Sequence, residues 1–141
     1  MEELHTGSKT RHLGISNVTL DQVAELWDFA RVRPSFVQNR CYARDGWDRR
    51  VRAFCREKGI VYQGFSLLTA NVRELHRPDF QRLAQRLGKK PAQVVFRFAQ
   101  QTGILPLTGT TDVDHMREDL DIHDFELGED EMRLVENIGA R

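Results

Sequence analysis

Cysteine is scarce in this chain of 141 residues: Cys41 and Cys55 are the only two. Two thiols in ordinary apolar segments supply neither a disulfide framework nor a metal quartet, and they suit a reducing compartment. Net charge is absent as well, because 21 Lys and Arg balance 21 Asp and Glu. Without a positive field, nothing draws the chain to nucleic acid or to anionic lipid. No apolar run approaches the roughly 20 residues that a membrane span needs, and the opening MEELHTGSKT lacks the form of a secretion signal. The histidines His5, His12, His76, His115 and His123 show no paired spacing for a metal, and no nucleophile–base pair accompanies either cysteine. The expectation is a soluble, cytoplasmic protein with no metal, nucleic-acid partner or membrane.

What is present is an alternation of short β-type runs with amphipathic helices. Residues 11–16 (RHLGIS) read as a strand, and Thr19 with Gln22 three residues on has capping-box spacing for a helix that carries Leu20, Val23, Ala24 and Trp27 on one face. A strand at 36–42 (FVQNRCY) precedes a helix at 47–58 with Trp47, Val51, Phe54 and Cys55 on one side, and Gly59 sits where a helix-ending glycine belongs. A third strand at 60–66 (IVYQGFS) leads into a polar connection at 69–78. One helix then carries Phe80, Leu83, Ala84 and Leu87 and stops at Gly88; the next starts at Pro91 and buries Val94, Val95, Phe98 and Ala99. A fourth strand at 104–108 is followed by a helix begun at Thr111 and a last one at 129–138. There is no internal repeat and no linker, so residues 1–141 form one domain.

Strands alternating with helices imply parallel strands joined by right-handed crossovers, an α/β fold. Four such units fit half of a (β/α) barrel or a small open sheet, and periodicity does not choose between them.

A resemblance does. RHLGISN (11–17) resembles the aldo-keto reductase segment that ends the fifth barrel strand. VQNRCY (37–42) resembles the sixth strand with its glutamine, and GIVYQGFSLL (59–68) the seventh strand with its aromatic-Ser turn. GKKPAQVVFRFA (88–99) is similar to the helix before the eighth strand, ILPLTGTTDVDHMREDL (104–120) to that strand and its phosphate-side helix, and DFELGEDEM (124–132) to the closing acidic turn. Residues 1–9 resemble the helix tail before the fifth strand. The resemblance therefore implies the carboxy-terminal half of a TIM-type (β/α)8 barrel, strands five to eight.

It also implies a site for NADP, or NAD. Ser16, Asn17 and Gln38 would hydrogen-bond the nicotinamide carboxamide, and Phe65 would stack on its ring. Ser66 and Leu68, with Leu67 more loosely, would line the pyrophosphate. Gly109, Thr110, His115 and Asp119 would lie at the adenosine end, with Glu118-Asp119 where the family often has an asparagine. Each has a plainer explanation alone: Ser-Asn as a turn, Phe65 as core, Thr111 as a helix cap.

The family protonates its carbonyl substrate with a tyrosine assisted by lysine, aspartate and histidine on the first four strands. The resemblance begins after those strands, so no catalytic residue is assigned, and the chain is expected to be truncated and inactive alone. The alternative is a non-catalytic cofactor-binding or structural half-barrel. Two open edges would remain, to be closed by a second copy or by a separate amino-terminal half.

Overall fold

In a computed structural model that describes residues 1–140, the chain opens with a short helix α1 (Glu2–Thr6) and then builds four βα units. Strand β1 (Gly14–Ser16) is followed by α2 (Leu20–Phe29), β2 (Phe36–Arg40) by α3 (Arg49–Lys58), and β3 (Val61–Phe65) by α4 (Val72–Leu75), α5 (Pro78–Leu87) and α6 (Pro91–Gln101). Strand β4 (Ile104–Leu107) leads to α7 (Val113–Leu120) and α8 (Glu129–Glu136). Local chemistry sets these bounds: Thr19 and Gln22 form the reciprocal cap of α2, and Gly59 and Gly88 stop α3 and α5 with φ of 69° and 64°. No helix of the described residues is long and apolar enough to cross a membrane.

The four strands pair in parallel in the order β1-β2-β3-β4. Each strand lies beside its predecessor, with no reversal of order, so successive crossovers of one hand return on the same side. Register then divides the side chains between two unlike faces. Val37, Asn39, Tyr62 and Ile104 point to one face and are buried, with Val37 fully so, against Val94, Val95 and Phe98 of α6 and the apolar stripes of α2 and α3. The alternate positions are half-buried or exposed, Val61 at 42% and Leu105 at 48% among them. That second face carries no helical layer among the described residues.

Several bounds differ from those read in the sequence. The strands are shorter: Gly14–Ser16 rather than 11–16, Phe36–Arg40 rather than 36–42, Val61–Phe65 and Ile104–Leu107. Trp47 is not the start of α3. It and Asp48 have left-handed backbone (φ 56° and 59°), and the buried indole reaches back to donate Nε1–H to the Val135 carbonyl at 2.8 Å. Asp112 rather than Thr111 caps α7, because its carboxylate accepts from two amides, Asp114 N–H at 2.8 Å and His115 N–H at 3.1 Å. The last helix ends at Glu136, and a 3-10 turn, Ile138–Ala140, lays Gly139 so close to the Ala43 backbone that a Cβ there has no room.

The polar connection at 69–78 holds α4 and a buried asparagine. Asn71, 1% exposed, donates Nδ2–H to the carbonyls of Cys41 (2.9 Å) and Leu67 (2.8 Å) and accepts the Ala43 N–H at 2.7 Å. One side chain thus satisfies three backbone groups just past β2 and β3, where both chains leave the sheet. Asn71→Ala strands all three and is expected to lower stability by about 2–4 kcal/mol, read as a fall in the urea midpoint at unchanged slope; a loss under about 0.5 kcal/mol would mean that water replaces the amide.

Candidate functional site

The residues singled out in the sequence collect at the carboxy ends of the four strands, chiefly on and around the helix-free face. Ser16, Gln38, Gln63 and Leu105 lie level across the sheet, and Ser16, Gln38 and Gln63 line a shallow cavity of about 230 Å³ with Phe36 and Gly14. Gln38 Nε2–H donates to Gln63 Oε1 at 3.1 Å. That bond orients the Gln38 amide and leaves its carbonyl oxygen and second N–H for another partner. Gln63 was not foreseen, although its place in IVYQGFS, level with Gln38 of FVQNR, follows once the register is known.

One layer closer to the strand ends, Arg40, Phe65 and Leu107 are neighbours. The Arg40 guanidinium carbon stands over the Phe65 ring, 5.9 Å from its centroid. Beyond Phe65 the chain turns sharply: Ser66 has φ 56°, and Asn17 after β1 has φ 55°. Two non-glycine residues held in the left-handed region at the ends of alternate strands cost roughly 1 kcal/mol or more each. Asn17 N–H bonds the Gln38 carbonyl at 3.0 Å, which ties the turn to β2. The Asn17 side of the rim opens into a separate cleft of about 420 Å³ with Asn39, Arg40, Asp45 and Asp48.

Ser66, Leu68, Thr108 and Gly109 line a cleft of about 240 Å³ between the ends of β3 and β4, floored by Leu67 and Phe96. Leu67 is itself buried and belongs to the core. A neighbouring cleft of about 320 Å³ is lined by Gly109, Thr110, Met116, Asp119 and Leu120. Gly109 is common to both, and a side chain there would meet nothing within 4 Å, so the two clefts adjoin across open space. His115 is exposed on α7 and lines neither.

The electrostatics of this end are acidic. Asp112 is held below the usual carboxylate range by the amides of His115 and Asp114, so two donors of the α7 amino terminus already serve an anion of the chain itself. Asp119 is pushed up by partial burial, opposed in part by Thr108 Oγ1–H at 3.4 Å. The nearby cations are engaged: Lys90 pairs with Glu118, and Arg117 with Asp114 at 3.1 Å.

A model described as the Aldo/keto reductase family matches residues 1–140. The chain is 31% identical over 148 aligned positions to a D-galacturonate reductase of Fragaria ananassa, covering 100% of this chain and 46% of that protein. It is 33% identical over 129 positions to aldo-keto reductase family 4 member C11 of Arabidopsis thaliana, covering 86% and 40%. Among solved structures, the aldose reductase of Schistosoma japonicum superposes with a TM-score of 0.84 at 22% identity, over 96% of this chain and 44% of that one. An aldo/keto reductase of Brucella melitensis superposes with 0.83 at 20%, over 97% and 52%. The chain spans less than half the length of either relative and about half of the two solved chains.

Neither tyrosine of the chain stands on the helix-free face of the sheet. Tyr42 lies past the end of β2 with the Arg44 guanidinium over its ring at 4.5 Å. Tyr62 points to the helical side and donates its hydroxyl to Asp48 at 2.8 Å, and Asn39 Nδ2–H meets the same carboxylate oxygen at 2.8 Å. Burial, with the Cys41 thiol and the Asp48 charge beside it, drives the Tyr62 phenol well above its ordinary range. Burial likewise pushes the Cys41 thiol up to about 12 and Cys55 to about 11. These protons stay on in the folded state where an unfolded chain would release them. Stability from this cluster is therefore full below pH ~9, the ordinary thiol range, and declines as pH rises from there toward 12. Urea midpoints at pH 7.5, 9 and 10 should fall in that order, with a shallower fall in Cys41→Ala. The native thiols should also resist alkylation at pH 8 and react in urea. Rapid native labelling of both would contradict their burial.

Proposed function

Because the chain belongs to the aldo/keto reductase family, we propose that it forms strands five to eight of an eight-stranded (β/α) barrel and carries the nicotinamide-cofactor side of a carbonyl reductase site. The observation that supports this best is the helix-free sheet face with Ser16, Gln38 and Phe65 at its carboxy-terminal end and the Ser66–Gly109 cleft beside them. In (β/α) barrels that end of the strands is where ligands bind, with phosphates at the loops after the last two strands. A bound NAD(P)H supplies hydride.

The residues present suit such a group. Gln38 has an oriented amide with one donor and one acceptor to spare, and Ser16 lies level with it. Phe65 offers a planar ring at the rim. Ser66 and Leu68 flank a cleft in which the hydroxyls of Ser66, Thr69 and Thr108 are the donors available to a pyrophosphate, and Gly109, Thr110 and Asp119 continue it toward an adenosine. Asn17 would reach the carboxamide from the turn after β1, and His115 would contribute only from the surface of α7. One observation favours NADH over NADPH: Asp112 occupies the α7 amino terminus, and Asp114, Glu118 and Asp119 surround a region whose cations are already paired.

Neither tyrosine among the described residues lies on this face of the sheet. Tyr62 is committed to Asp48 on the far side of the sheet, and Lys89 and Lys90 are paired with Asp124 and Glu118. Reduction of a carbonyl would then need the complementary half of a barrel, which would also cover the open face and pair the edges of β1 and β4. Its two reduced, buried thiols suit work in the cytoplasm.

The chain alone is expected to oxidise NADH or NADPH with a small aldehyde at the background rate, since loss of positioned acid catalysis costs roughly 10²–10⁴-fold. Turnover on the order of 1 s⁻¹ would show that it is a complete enzyme. Phe65→Ala should weaken cofactor binding in calorimetry by about 0.5–1.5 kcal/mol. No binding by the unsubstituted chain would remove the cofactor site.

A further inference from the structure

Among the described residues Arg40 is the only charged residue within the four strands, and its register places it on the helix-free face of the sheet. It ends β2 level with Phe65, and its guanidinium lies over that ring. The strand residues around it on that face carry neutral amides, the Ser16 hydroxyl and apolar groups. Two carboxylates share the adjoining cleft, but both are otherwise engaged: Asp45 pairs with Arg44 at 3.7 Å, and Asp48 accepts from Asn39 and Tyr62. Among the described residues Arg40 has no ion-pair partner, so its charge acts on whatever rests against Phe65.

Oxidised and reduced nicotinamide dinucleotides share their phosphates, riboses and adenine. They differ in the ring, which is a cation when oxidised and neutral when reduced. An unpaired guanidinium beside the ring's seat repels the first and tolerates the second. We propose that Arg40 makes this a redox-discriminating site, one that holds the reduced cofactor and disfavours the oxidised form. This inference rests on the nicotinamide site proposed above. Like unit charges several ångströms apart at a protein surface, where the effective dielectric lies between those of protein and water, change a binding ratio by roughly three- to tenfold. Salt screens that repulsion, with a Debye length of roughly 10 Å at 0.1 M.

The test compares dissociation constants of NADH and NAD+ for the full chain, the first from its fluorescence and the second by calorimetry. The quantity of interest is the ratio of the NAD+ constant to the NADH constant, in which the contribution of the shared phosphates cancels. Arg40→Met should lower this ratio roughly three- to tenfold, and Arg40→Lys should leave it within about twofold, because the lysine keeps the charge. Raising salt from about 0.05 M to about 0.5 M should bring the unsubstituted chain toward the methionine variant. Arg40 is exposed, so neither variant should disturb folding, which circular dichroism will report. Two bound forms whose ratio is the same in all three proteins and at both salt concentrations would overturn the role of Arg40 while leaving the cofactor site intact. Failure of both forms to bind the unsubstituted chain would overturn the site itself, and this inference with it.

Discussion

A parallel strand can follow its neighbour only after the chain has crossed back over the sheet, and the three crossovers here return on the same side. The order β1-β2-β3-β4, without a reversal, keeps the crossover helices off the other face. Most of the other features depend on that constraint. It buries Val37, Tyr62 and Ile104 in a single apolar layer with α2, α3 and α6. It also leaves Gln38, Gln63, Phe65 and Leu105 as the floor of an open surface.

An open face has an energetic consequence. Apolar surface left in water forgoes about 25 cal/mol per Å², and Val61 and Leu105 are exposed on this one. The amide pair Gln38–Gln63 and the stacked Arg40–Phe65 make the face amphipathic rather than oily. The helical side is held more firmly. Trp47 just before α3 and Arg52 within it fasten this segment to α8, and Asn71 fastens the exits of β2 and β3, so the rim rests on a hydrogen-bonded base. The left-handed residues Asn17 and Ser66 are carried by that base.

The alternation of elements was legible in periodicity alone, because strand and helix repeats are local. So were the caps at Thr19, Gly59 and Gly88. Trp47 was misplaced because an apolar residue four before Val51 matches a helical face, whereas its partner, Val135, is 88 residues away and sends no local signal. Asn71 sits in a polar stretch that reads as solvent-exposed, and only the sheet above it shows that the amide serves three backbone groups. Thr111 and Asp112 both make acceptable caps, and the carboxylate prevails because it accepts two amides at once. For the site, the residues of the sheet face followed from linked motifs. Gln63 and Arg40 did not, since what matters about them is their register with Gln38 and Phe65.

The proposed ligand position, where the carboxy ends of the strands meet the helix-free face, can be tested by hydrogen–deuterium exchange of the chain with and without NADH. Bound cofactor should slow exchange in the segments around Asn17, Cys41, Ser66 and Gly109, and leave the opposite ends of the strands, around Leu13, Ser35 and Ile60, unchanged. Protection confined to those opposite ends, or to the helical side, would contradict the account.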